Sequence, residues 1–157
     1  MLYLQLYFKA WTMKRTFNTT LNHNAVNLGL LVLRIGIACF MLTHGWPKLM
    51  KLMAGGEIQF LDPFGLGATP SFILAIFAEV LCSILILLGL ATRWATIPLI
   101  ITMLVAIFVA HATDGFQKQE LPAHYVLVYL FLLLAGPGKY SLDYFISRKL
   151  SRKYRSF

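Results

Sequence analysis

Carboxylates are scarce in this chain. Six Asp and Glu stand against fourteen Lys and Arg over 157 residues, and only 13% of positions are charged. Soluble domains carry about 25% charged residues, so composition excludes that class. Cysteine is nearly absent as well. Cys39 and Cys82 both lie inside apolar runs and form no C-x-x-C pair. This argues against disulfide exchange and against a zinc site of Cys and His spacing; buried thiols behave as small hydrophobes. No metal site is expected. The chain also lacks a flavin, nucleotide or iron–sulfur motif, so it supplies no two-electron redox centre by itself. No soluble domain, internal repeat or low-complexity stretch is evident. No cleavable signal peptide is expected either, since the first apolar run is too long for an h-region.

Apolar sequence is what the chain has in quantity. It is 59% hydrophobic, with mean hydropathy +0.71. The length suits one domain and leaves room for about four membrane helices of roughly 20 residues. Four apolar runs are expected to cross, at about 26–46, 69–90, 94–112 and 121–136. Twenty helical residues rise about 30 Å and satisfy their own backbone hydrogen bonds, as hydrocarbon requires. Gly136-Pro137-Gly138 ends the last run. The predicted fold is therefore all-α: a four-helix transmembrane bundle over 26–138. Basic tails flank it at 1–25 and 139–157. The first tail is expected to lie on the membrane surface, and Met13 is an alternative start.

The net charge of +8 does not point to nucleic acid, because the cations sit in tails beside apolar spans. The N-terminal tail carries Lys9, Lys14 and Arg15, and the C-terminal tail has Lys139, Arg148, Lys149, Arg152, Lys153 and Arg155. The turn between the second and third runs adds Arg93. The opposite loops hold Lys48, Lys51 and Lys118. This asymmetry places both termini in the cytoplasm. The stretch "SLDYFISRKLSRKYRSF" opens on Ser141, a good N-cap. It offers Leu142, Phe145 and Ile146 against a basic remainder, and is expected to lie as an interfacial helix on the anionic inner leaflet.

Two charges fall deep inside the runs. Arg34 and Glu79 are each placed about 12–16 Å from the cytoplasmic edge at 1.5 Å per residue. A lone charge at the bilayer centre costs about 2.5–3.5 kcal/mol, and pairing of Arg34 with Glu79 is the obvious relief. Such a pair either fixes how the helices dock or orients a ligand and relays protons. A third reading is that the two do not meet. His44, His111 and His124 are expected at the outer end, beside loops carrying Glu57, Asp114 and Glu120. Imidazole there can make interfacial hydrogen bonds, contact a quinone, relay protons or bind haem or metal. Tyr125 and Tyr129, one turn apart, can line such a pocket or simply pack. On the first helix Arg34, Met41, Gly45 and Lys48 share one face, which should turn toward the bundle. Trp46 suits an interfacial belt, Pro47 is expected to end the helix, and Lys48 to snorkel to water. The loop at 47–68 is apolar enough to fold back over the bundle mouth.

These residues carry a resemblance. "LRIGIACFMLTHGWPKL" (33–49) is similar to the first-helix signature of DoxX-family membrane proteins, through Arg34, Phe40, His44, Gly45, Lys48 and Leu49. "FAEVLCSILILLGLATRWA" (77–95) resembles that family's second helix, through Glu79, Gly89 and Arg93. "GPGKYSLD" (136–143) resembles its closing motif, through Gly136, Pro137, Gly138, Ser141 and Asp143. The resemblance spans about 26–145 and implies a four-helix protein of the bacterial inner membrane. Named members are linked to thiosulfate:quinone oxidoreduction, others to oxidative-stress complexes. It therefore implies a small subunit of a quinone-linked redox system, working with a soluble or membrane redox protein. Arg34, Glu79 and His44 would handle charge and protons, while His111, His124 and Tyr125 would line a pocket for quinone, with haem ranking lower. A non-enzymatic scaffold or assembly factor is the second reading, and a small-solute carrier the third; four short helices with no broken pair leave little room for alternating access.

Overall fold

The structure is a computed structural model that describes residue 3 and residues 20–154. The segment expected over 1–25, including the alternative start at Met13, falls largely outside the described residues. Five helices and no strand occur among those residues: α1 (His23–Ala54), α2 (Ala68–Leu88), α3 (Thr92–Ala110), α4 (Phe116–Ala135) and α5 (Leu142–Tyr154). The first three are long and apolar enough to cross a membrane. The fourth is long enough, at 20 residues, but not apolar enough. Its N-terminal turns hold Gln117, Lys118, Gln119 and Glu120 ahead of the apolar stretch. The described chain thus has three candidate spans where four were expected.

α1 starts where the Asn22 side chain accepts the Asn24 and Ala25 amides at 3.1 and 3.3 Å, a standard N-cap arrangement. It buries Leu30, Arg34, Ala38, Met41 and Gly45, the inward face that helical spacing predicts. Pro47 does not end it. The helix continues to Ala54 and stops at Gly55, φ 73°. A proline in an apolar helix forfeits one backbone bond, which neighbouring groups in a bundle can compensate; Trp46 beside it is 55% exposed.

Small residues let α1 and α2 approach closely. Ala38 shares a core with Ala78 and Cys82, together with Met41 and Ile86. At Gly45 an added Cβ would lie 2.8 Å from the Val80 side chain and 2.9 Å from the Glu79 backbone. Small side chains at crossings are the usual way apolar helices pack in lipid. α3 contributes Ala95, Leu99 and Met103 to this core and α4 adds Tyr125, Tyr129 and Leu132. The loop after α1 folds back, as its composition predicts: Ile58 and Phe60 pack over Phe72, Ile76 and Val80.

Two helices contain π-helical turns, at Phe77–Cys82 in α2 and Ala106–Ala110 at the end of α3. Each inserts an extra residue and turns the following side chains. The first carries Glu79; the second leads directly into His111.

Candidate functional site

The two deep charges do not pair. Gly89 lies against the Arg34 guanidinium, so the α2–α3 turn is level with Arg34, eleven residues into α1. Depths counted from the span ends assume that α1 starts level with this turn. It starts about three turns beyond it, so the count misplaces Arg34 relative to Glu79. Along α2, Glu79 is seven to ten residues from the Ile86–Gly89 level, or about 10–15 Å.

Arg34 is fully buried in a clasp of backbone. Nη1 donates to the Ile86 carbonyl at 3.4 Å and Nη2 to the Tyr140 carbonyl. Asp143 adds an opposite charge nearby. Its carboxylate accepts the Ala91 and Thr92 amides at 2.8 and 3.1 Å, while its own amide donates to the Gly89 carbonyl at 2.9 Å. Ser141 caps α5 by accepting the Tyr144 amide at 3.3 Å, the cap its position predicts. The turn needs Gly89 for two reasons. Its φ is 69°, and any Cβ would collide with Arg34 and Ser141. Arg34, Gly89, Ser141 and Asp143, drawn from three separate stretches of sequence, form one structural joint.

The second polar cluster sits toward the other end. Lys48 Nζ donates to Glu79 Oε1 at 2.5 Å. The Glu79 side chain is 3% exposed and that of Lys48 30%. Lys48 neutralises Glu79 while keeping part of its side chain exposed, and its ammonium also lies 5.8 Å from the Phe60 ring centroid. Sequence reading missed this partnership, although the shared face of Gly45 and Lys48 was the signal available for it. Glu79 Oε2 is buried without a hydrogen-bond partner. Arg34 Nε, Ser83 Oγ, Thr92 Oγ1 and Tyr129 OH share that condition, but of these five residues only Glu79 lines a described cavity.

Two cavities meet at the Lys48–Glu79 pair. The larger, about 560 Å³, opens between α2 and α3 under the 60–64 segment. Its walls are mostly apolar, among them Phe60, Leu74, Phe77 and Ile101, and His111 stands at its end. The smaller, about 190 Å³, lies between α1, α3 and α4 and adds Met41, His44 and Tyr125 to Lys48, Glu79 and His111. His44 meets Tyr125 edge-on at 6.2 Å, and Tyr125 stacks on Tyr129 at 6.0 Å. Of the three histidines expected at the outer end, His44 and His111 therefore share a cavity. His124 does not: it is exposed and its Nδ1 bonds the Glu120 carbonyl at 2.7 Å in its own helix. Its position one residue before Tyr125 turns it about 100° around α4 from the residue that lines the cavity.

His111 is held from outside. Its Nδ1 lies 2.9 Å from Asp114 Oδ2, and Lys118 Nζ reaches the same oxygen at 3.2 Å. The hydrogen bonds from His111 and then Lys118 hold the Asp114 carboxyl below the ordinary carboxylate range. With Nδ1 facing Asp114, Nε2 is the ring's remaining proton-exchanging atom. Among the described residues, no group of three or more His, Cys, Asp or Glu is arranged to hold a metal ion.

Long apolar helices packed through small residues around a buried ion pair define an integral membrane protein of the all-α class. The chain belongs to the DoxX family, whose model matches residues 29–112. An uncharacterized protein of Haemophilus influenzae is 31% identical over 128 residues, covering 77% of this chain and 85% of that relative. The uncharacterized membrane protein Rv3486 of Mycobacterium tuberculosis is 31% identical over 138 residues, with 78% and 82% covered. The inner membrane protein YqjF of Escherichia coli is 30% identical over 129 residues, with 78% and 95% covered. No solved structure matches the chain.

Proposed function

We propose that this DoxX-family protein is a quinone-linked accessory subunit of a bacterial inner-membrane redox system. One observation carries the reading. Glu79, whose Oε2 is buried without a partner, lines a largely apolar cavity of about 560 Å³. A ligand that fits has an apolar body and a polar head able to donate to Oε2 or accept from Lys48. A quinol or quinone head on an isoprenoid body meets both demands. When bound it would supply the two-electron chemistry that no side chain here provides. The protein's own residues orient the head and exchange protons. Glu79 and Lys48 set the charge where the two cavities meet, while His44 and His111 line the smaller one beside that pair. His124 and Arg34 have no part in this cluster, and the redox partner would be a separate protein.

This reading takes α4 as the fourth span, with both termini cytoplasmic. α4 has 20 residues, enough for about 30 Å. It buries Pro122, Tyr125, Tyr129 and Leu132 while exposing Leu127, Leu130, Phe131 and Leu134, an outward apolar face suited to lipid. A scaffold role finds its support at the Arg34 joint, which has the closed packing of a purely structural element.

The test is the lipid extract of purified protein. Wild type should carry quinone, and Glu79→Gln and His44→Ala should accumulate normally with little or none. A wild-type extract without quinone, or unchanged content in both variants, would overturn the assignment. Loss of accumulation in both variants would favour the scaffold.

A further inference from the structure

A third cavity lies at the Arg34 end, well away from Glu79. It is an open groove of about 560 Å³ between the start of α1, the start of α3 and the first turns of α5. Its character is opposite to that of the quinone-sized cavity. Arg93 and Lys139 stand on its wall beside Asn27, Trp94, Tyr144 and Ser147. The one carboxylate lining it, Asp143, has both oxygens occupied by the Ala91 and Thr92 amides. No described carboxylate pairs with Arg93 or Lys139. Arg93 gives Nη2 to the Leu134 carbonyl at 3.3 Å, which holds the guanidinium in place and leaves the rest of its fork available. The cavity is thus a preformed cationic recess.

Its surroundings are apolar on the outside. Trp94 is 77% exposed. On α5, Leu142, Phe145, Ile146 and Leu150 are all exposed and fall within about 140° of one another at 100° per residue. Arg148 lies over the Tyr144 ring at 5.7 Å. An anion entering from bulk water would have no use for that apolar fringe, whereas a lipid needs both parts. We propose that this recess binds the phosphodiester headgroup of an anionic phospholipid. Arg93 and Lys139 take the phosphate, and the acyl chains run past Trp94 and the apolar face of α5. Charge complementarity favours anionic over zwitterionic lipid, and basic pockets between membrane helices commonly hold such headgroups. α5 then lies along the membrane surface because its anchoring joint at Asp143 and its lipid share one end of the bundle.

The experiment uses the full chain in detergent, offered equal phosphatidylglycerol and phosphatidylcholine, with bound lipid read by native mass spectrometry. Wild type should retain phosphatidylglycerol preferentially. The R93Q/K139Q double variant should lose that preference by roughly 30-fold, each juxtamembrane cation being worth about five-fold. Lys139→Gln alone, which removes an exposed side chain, should lose about five-fold while leaving the thermal midpoint unchanged in lipid-free detergent. That variant keeps the test valid should Arg93 prove necessary for folding. Lys51→Gln, at the opposite end, should change nothing. Equal retention of both lipids, or a preference that survives in Lys139→Gln and the double variant, would overturn the proposal. So would equal stabilisation by inorganic phosphate alone, which would identify a free-anion site. None of these outcomes depends on quinone content.

Discussion

The protein buries two ionic side chains in an apolar bundle and treats them in opposite ways. Arg34 is closed in on every side by chain: Ile86 and Tyr140 carbonyls receive its Nη atoms, and Gly89 leaves no room for even a methyl group. Glu79 is equally buried but borders two cavities, with Oε1 on Lys48 and Oε2 without a protein donor. A buried charge in hydrocarbon invites a functional reading, yet burial alone does not separate joint from site. The separating feature is adjoining space: Arg34 Nε and Glu79 Oε2 both lack a partner, but only Glu79 lines a described cavity. By that measure Arg34 organises the α2–α3 turn and the start of α5, and Glu79 organises the cavity.

The comparison is broken most severely at the joint. Gly89→Ala forces a left-handed Ala and overpacks Arg34 and Ser141. The two effects cost about 1–2 and 1–3 kcal/mol, so destabilisation of about 2–5 kcal/mol is expected, read as a large fall in thermal midpoint or failure to accumulate. Gly36→Ala, where an added Cβ meets nothing within 4 Å, should be neutral or slightly stabilising. Equal behaviour of the two variants would remove the joint from the structure's essential contacts.

At the cavity, Lys48→Met leaves the Glu79 carboxylate unpaired. Lys48 keeps 30% of its side-chain surface exposed, so the loss should fall below that of a fully buried pair, at about 2–3 kcal/mol. The double change Lys48→Met with Glu79→Leu should recover most of it, since apolar replacement of an ion pair is often near neutral, while quinone remains absent. Recovery of both stability and quinone would show the pair to be only a staple. A parallel double replacement at Arg34 has no such remedy, because its acceptors are backbone carbonyls.

Much of this contrast could not be seen in the sequence, for a geometric reason. Within one helix, spacing is a reliable guide. The inward face through Arg34, Met41 and Gly45 and the spans at 69–90 and 94–112 agree with the helices to within a few residues. Between helices the relative height is set by loops, and there the reading fails. Arg34 and Glu79 lie on the right helices at different levels, and Lys48, expected to reach water, is partly exposed and also pairs with Glu79. Pro47 was read as a stop because backbone compensation in a bundle is invisible in a string of letters. Three outer histidines were expected on one side; the 100° step from His124 to Tyr125 puts one of them elsewhere. The convergence of Arg34, Gly89, Ser141 and Asp143 had no local signal beyond family resemblance.

Gly45→Ala probes the boundary between packing and site. The new Cβ would press on Glu79 and Val80 at 2.8–2.9 Å, against backbone that cannot rotate away. A modest loss of about 1–2 kcal/mol follows from overpacking, and the displaced Glu79 should lower quinone retention more than stability. A fall in stability with unchanged retention would mean that the cavity tolerates movement of its carboxylate.

The smallest effect is expected in the loop that roofs the larger cavity. Asp62 accepts the Gly67 amide at 2.7 Å, the Leu66 amide at 2.9 Å and the Ser71 hydroxyl at 2.9 Å. The Gly67 bond first, then those of Ser71 and Leu66, hold its carboxyl below the ordinary value. A depressed folded-state pKa means that the contribution is complete above the unfolded pKa, near 3.9, and disappears as the pH falls through the lower folded value. The loop should thus be insensitive to pH from neutral down to about pH 5 and loosen only in stronger acid. Amide exchange at Leu66 and Gly67 reads this directly once intrinsic exchange rates are corrected for pH. Protection should drop below about pH 4 in wild type, whereas Asp62→Asn should show reduced protection that stays flat across the range. A transition persisting in Asp62→Asn would move the titrating group elsewhere and leave the 60–64 roof held by Phe60 on Phe72, at 5.0 Å, rather than by this carboxylate.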